Sequence, residues 1–157
     1  MKTKQIIPLL FLLAIVGFVS CVDEVTTPKN TVTFTATLNG ANEVPANESM
    51  ATGTATYKYD KTTHKLSGTV TFSGMTATAS HIHKGDTTVA GPVVIPLDVT
   101  PPVTSPITLE PTTLDSTQRA DLMNGLYYVN IHSEAFPGGE IRGQLMKKSS
   151  SGDNGGY

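Results

Sequence analysis

The chain has 157 residues, 38% of them apolar and 15% charged, with a formal net charge of −2, one cysteine and no tryptophan. A small negative charge without any basic patch excludes a nucleic-acid binder, and a single cysteine excludes an internal disulfide. The length suits one domain with a real core rather than two.

The chain opens with Met1-Lys2-Thr3-Lys4, an apolar run from Ile6 to Val19, and then Ser20-Cys21. A short basic stretch, ~7–15 apolar residues and a small residue before the cut are the layout of a secretory signal. A spanning helix needs ~20 apolar residues, more than this run supplies. Phe18-Val19-Ser20-Cys21 resembles the bacterial lipobox, in which the cysteine becomes the acylated first residue of the mature protein. The resemblance implies that residues 1–20 are removed and that Cys21 is the lipidation site. A lone thiol in an exported chain is otherwise a liability, and thioether attachment gives it a use. Two or three acyl chains anchor stably where one binds only marginally. Residues 21–30 are polar and contain Pro28, which suits a tether that holds a domain off the bilayer. Asp23-Glu24, close behind the cysteine, resembles the surface-export signal of Bacteroidetes lipoproteins. The expected location is therefore outside the cytoplasm, lipid-anchored to a bacterial membrane, with the outer membrane and the cell surface favoured. Loss of Lys2 and Lys4 leaves 9 basic against 13 acidic residues, about −4 for the mature chain.

Residues 31–147 are rich in threonine, valine and tyrosine, alternate with period two, and carry Gly, Pro or Asn punctuation every ten or so residues. This is the pattern of an all-β sandwich or barrel. The alternation predicts strands at 31–38, 51–59, 65–73, 78–83, 92–98, 126–133 and 140–146, with a hairpin turn at 60–64. Prolines make 100–106 a loop. One helix is expected over 115–124, where Asp115 caps, Gln118 stands three residues on and Gly125 supplies the stop. The last residues, 148–157, have a low-complexity composition that cannot bury a core and read as a disordered tail.

Three of the four histidines fall in two strand segments, Ser80-His81-Ile82-His83 and Val129-Asn130-Ile131-His132. Side chains alternate across a strand, so His81 and His83 share a face, their Cα atoms ~6.6 Å apart. Leu126, Tyr128, Asn130 and His132 share a face in the same way, opposite Tyr127, Val129 and Ile131. If the two segments are neighbours, three imidazoles converge. Three neutral histidines without a thiolate suit copper, zinc or nickel, with a further position open to water or a small substrate. The competing account makes them hydrogen-bonded core or interface residues, or solvated ones near a strand end, and that account holds for His64 in its turn. No Gly-x-Ser-x-Gly elbow, phosphate loop or persuasive pair of carboxylates offers another chemistry.

Five blocks carry a wider likeness: Phe34 through Pro45 (FTATLNGANEVP), Ala51-Thr-Gly53-Thr, Ser80-His81-Ile82-His83-Lys-Gly85, Tyr128-Val-Asn130-Ile-His132 and Pro137-Gly-Gly139-Glu140-Ile-Arg142-Gly143-Gln144-Leu. In their order and spacing the sequence resembles the CHRD (chordin-type) domain over nearly all of residues 32–146. That family occurs in animal chordins, extracellular antagonists of growth factors, and in many bacterial secreted proteins and lipoproteins. The animal partner does not transfer to a bacterial lipoprotein, and the protein partner here is unknown. More loosely, His81-Ile82-His83 and Ile131-His132 resemble the copper-binding elements of copper/zinc superoxide dismutase. This likeness implies a Greek-key β-sandwich with one short crossover helix and a copper site of His81, His83 and His132. The counterparts of the dismutase's bridging histidine, zinc loop and disulfide are missing.

Three readings follow. The first is a metal-binding domain, copper favoured and zinc the alternative, with Asn130, Glu140 and Arg142 supporting the three histidines. Arg142 is open to two roles: the dismutase likeness implies an arginine that steers an anion to the site, while its strand face, shared with Glu140, favours a structural ion pair with Glu43 and Glu140. The second reading is a non-catalytic adhesion or protein-interaction module displayed on its lipid anchor. The third is a copper-only, superoxide dismutase-like enzyme; binding ranks above catalysis.

Overall fold

The structure is a computed structural model that describes residues 30–149, so the expected signal segment 1–20, Cys21, the tether up to residue 29 and the tail from residue 150 lie outside the described residues. The first two strands show why this composition forms sheet. In β1 (Thr31–Asn39) and β2 (Thr52–Asp60) the inward positions pair Phe34 with Tyr57, Ala36 with Ala55 and Leu38 with Gly53. The outward positions pair Thr35 with Thr56 and Thr37 with Thr54. β-Branched threonines suit a pleated, solvent-facing surface, while the aromatic and aliphatic residues opposite them fill the interior. The expected turn joins β2 to β3 (Lys65–Ser73): the Asp60 carboxylate accepts the Thr62 and Thr63 amides at 2.7 and 2.9 Å, and His64 takes the left-handed conformation at φ 58°.

The remaining strands are β4 (Ala77–Lys84), β5 (Val93–Asp98), β6 (Ile107–Thr113), β7 (Tyr127–Ser133), β8 (Ile141–Gln144) and the two-residue β9 (Met146–Lys147). They form one antiparallel sheet in the order β5-β4-β7-β8-β1-β2-β3-β6, with β9 beside β1. The end strands β5 and β6 approach one another without a ladder, so the sheet nearly closes on itself as a barrel or sandwich. β3 and β4 are successive in the chain but not neighbours, nor are β6 and β7, which gives the crossovers of a Greek key. The all-β class with one short helix is thus the observed one. Helix α1 (Ser116–Met123) makes the β6–β7 crossover, with Asp115 and Gln118 closing a reciprocal capping box and Gly125 at φ +71° after it.

Nine strands stand where the sequence predicts seven. The strand at 140–146 divides around the buried Leu145 into β8, which pairs chiefly with β7, and β9, which pairs with β1. β6 is the addition, and Pro111 within it obscures the strand pattern. It is tolerated because β6 is an end strand bonded only to β3, with the register shifting opposite it between Leu66 and Gly68. The core runs through the barrel from Phe34, Tyr57 and Leu66 to Ile82, Val129, Ile131 and Ile141. Of the strands lining it, β4, β7 and β8 carry the polar residues of interest on their outer face.

Candidate metal centre

β4 and β7 are antiparallel neighbours, with Ile82 opposite Val129, His83 opposite Tyr128 and His81 opposite Asn130. Ile82, Val129 and Ile131 point into the core. Alternation therefore turns His81, His83, Tyr128, Asn130 and His132 outward together, as the sequence predicts. An irregularity between Ala77 and Ala79 brings His132 opposite Ala79. The outer row continues onto β8, where Arg142 faces Asn130 and Gln144 faces Tyr128.

The three imidazoles meet. Ring centroids lie 5.5 Å apart for His81 and His83, 5.0 Å for His81 and His132, and 5.9 Å for His83 and His132. One ring nitrogen from each lies within 4.8 Å of the other two. Backbone carbonyls fix the tautomers of two of them. His83 Nδ1 donates to the Gly91 carbonyl at 2.9 Å and His132 Nδ1 to the Pro137 carbonyl at 3.0 Å, leaving each Nε2 as a lone pair. His81 Nδ1 stands 3.1 Å from His132 Nε2 and, with His132 in that tautomer, donates to it. His83 Nε2 is buried and has no hydrogen-bond partner. A buried acceptor left unpaired costs about 1–3 kcal/mol, so its place among two other imidazoles calls for a ligand.

Burial holds the protonation of all three histidines below the ordinary range. For His81 burial is joined by repulsion from His132 and His83; for His83 the Gly91 bond opposes burial while Arg142 adds to it; for His132 the Pro137 bond opposes burial and His83 adds to it. Neutral imidazoles are the state that binds metal. Three nitrogens bonded to one ion at ~2.0–2.1 Å lie roughly 3.3–3.6 Å apart, so side-chain rotation of about 1 Å closes the set. The residues fit such an ion, and carbonyls orienting the far nitrogens are the usual support for histidine ligands.

The loop between β4 and β5, residues 85–92, folds back over this face. It supplies Gly91, whose amide donates to the Tyr128 hydroxyl at 2.9 Å, and carbonyls of Asp86 and Val89 that accept the Arg142 guanidinium. The Tyr128 ring stacks on His83 at 5.1 Å and 14°, and the Arg142 guanidinium carbon lies 3.4 Å from the Tyr128 centroid. Sequence reasoning places Tyr128 on the right face without assigning it a part; its alternation with Asn130 and His132 was the available signal.

Of the expected supporting residues, Arg142 and Asn130 stand in the outer row, but Glu140 turns elsewhere and its carboxylate accepts the Ser49 hydroxyl at 2.7 Å. The expected ion pair of Arg142 with Glu43 and Glu140 does not form: among the described residues the ion pair is Lys84 with Asp121 at 2.8 Å. Two carbonyls and an aromatic face take the guanidinium instead. Glu43 is buried beside Asn130, and burial pushes its carboxyl up to about 7 against the pull of Arg142, the Val44 amide and Asn130.

No match was found among curated proteins or among solved structures. The family model described as "CHRD domain" matches residues 34–145, a span that takes in all three histidines and the strands that carry them. With most of its length inside that match, the chain belongs to the CHRD domain family.

Proposed function

We propose that this CHRD domain is an exported, lipid-anchored metal-binding module in which His81, His83 and His132 hold one ion, copper in preference to zinc. The observation that carries the reading is the buried, unpartnered Nε2 of His83, on a ring that joins those of His81 and His132 in one group with a nitrogen from each within 4.8 Å of the others. Imidazole-only donors suit copper, which also stands above zinc in the order of intrinsic affinities. Outside the cytoplasm no glutathione pool competes for it. Asn130 and Arg142 would support the histidines from the outer row, and an ion held by three protein nitrogens would keep a further position for water or a small substrate.

The test is to express residues 22–157 without lipid, load Cu(II) or Zn(II), and measure stoichiometry beside a His81→Ala/His83→Ala variant. One ion per chain in the parent and its loss in a still-folded variant is the expected result. Substoichiometric binding that the double substitution leaves unchanged sinks the reading and favours a non-catalytic interaction module. For the anchor, a Cys21→Ser chain is expected to leave the membrane fraction for the soluble one; if it stays with the membrane, Cys21 is not the attachment point.

A further inference from the structure

Arg142 is only 2% exposed, yet no carboxylate lies within ion-pair distance of it among the described residues. Neutral groups take its protons: Nη1 donates to the Val89 carbonyl at 2.9 Å and Nη2 to the Asp86 carbonyl. Carbonyl dipoles ease the burial of a guanidinium but leave its unit of charge uncancelled. Two nearby acids cancel it incompletely: burial pushes the Glu43 carboxyl up to about 7, and the Asp86 carboxylate, held down by Thr88 and also by Arg142, is exposed to solvent and outside ion-pair distance.

The charge is placed against a metal ligand. Its carbon is 3.4 Å from the Tyr128 centroid, which in turn lies 5.1 Å from that of His83, so guanidinium and imidazole are no more than about 8.5 Å apart. β8 and β4 flank β7 on opposite sides, so Tyr128 is held between Arg142 and His83. The stack and the 85–92 loop exclude water from the gap, which weakens screening.

We propose that Arg142 is a specificity-determining residue of the three-histidine site, its incompletely compensated charge shifting selection away from divalent ions and toward monovalent copper. The inference rests on the metal-binding reading. Repulsion by a fixed cation is twice as large for a dication as for a monocation, so the charge weakens Cu(II) and Zn(II) more than Cu(I). At this separation an effective dielectric near 20 gives roughly thirtyfold for a full unit of charge, which partial cancellation by Glu43 and Asp86 reduces to about three- to tenfold in relative affinity.

The experiment compares the parent chain of residues 22–157 with Arg142→Gln, Arg142→Lys and Thr87→Glu, each loaded with copper. Thr87 is exposed and shares a small cavity with Arg142 and Glu43, so a carboxylate there opposes the charge without touching the contacts of Arg142. The readouts are the copper reduction potential and the competition affinities for Cu(I) and Cu(II), with circular dichroism as the folding control. Arg142→Gln is expected to lower the ratio of Cu(I) to Cu(II) affinity three- to tenfold, a tenfold change being about 59 mV for a one-electron couple. Thr87→Glu is expected to move it the same way by less, and Arg142→Lys to stay near the parent. Unchanged ratios in both charge-altering variants overturn the proposal, as does an Arg142→Lys shift as large as that of Arg142→Gln. If Arg142→Gln does not fold, Thr87→Glu decides. Failure of the parent to bind copper stoichiometrically overturns the three-histidine reading itself.

Discussion

Gly139 shows how one residue conditions the site from outside it. Its φ is +138°, and a Cβ built there would stand 2.5 Å from Asn130 Nδ2 and 2.7 Å from Glu43 Oε1. The turn it forms also presents the Pro137 carbonyl to His132. Gly139→Ala is therefore expected to lower unfolding stability in urea by about 2–4 kcal/mol, through strain and collision together. Glu43, against the same glycine, gives a pH-dependent prediction. Its carboxyl is raised in the folded state from 4.5 to about 7, so its contribution to stability is complete below 4.5 and is lost as pH rises through 7. Glu43→Gln removes that loss. Its stability relative to the parent is expected to be higher at pH 8 than at pH 5 by about 1–3 kcal/mol. Equal differences in urea at the two pH values would refute the assignment.

At the level of elements, β7 is the part of the fold most fully written in its residues. Six positions alternate between a core row of Tyr127, Val129 and Ile131 and an outer row of Tyr128, Asn130 and His132, and the same parity governs β4. Shifting either strand by one residue would send its histidines inward, so core burial holds the ligands outward. The crossover helix α1 has one buried residue, Leu122, and depends more on its ends. Asp115 accepts the Gln118 amide at 2.8 Å while Gln118 Oε1 accepts the Asp115 amide at 3.0 Å. Asp115→Ala is expected to cost about 1 kcal/mol in thermal or chemical unfolding, with metal stoichiometry unchanged because the helix lies outside the histidine cluster. Lys84 with Asp121 ties β4 to this helix, but the lysine is 43% exposed and such pairs add little.

For the whole molecule, stability and ligation are coupled through protons. The three histidines are held below their ordinary value of about 6.5, so the unfolded chain binds more protons than the folded one as pH falls beneath it. The protein without metal is expected to lose stability as pH falls beneath about 6.5, and His81→Ala/His83→Ala to flatten that loss. Calorimetry of parent and variant across this range checks it. On the proposed metal-binding reading, copper is expected to reverse the loss until protons displace it, free ion at 1,000 times Kd adding about 4 kcal/mol. A chelator should return the melting temperature to the ion-free value.

The sequence by itself determined the all-β class, the 60–64 turn, the capped helix and the face on which His81, His83 and His132 lie, because period, caps and turn chemistry are local properties. Its failures have local causes as well. Pro111 masked β6, and a shared strand face with opposite charges suggested an ion pair for Arg142, Glu43 and Glu140 that packing replaced with carbonyls and the Tyr128 ring. Only the tertiary structure decided that β4 neighbours β7, since strand pairing between segments about fifty residues apart is set by the whole sheet order. It alone also decided which nitrogens turn toward one another, because the carbonyls of Gly91 and Pro137 that orient the rings are backbone groups common to every residue and become specific only when the chain folds around them.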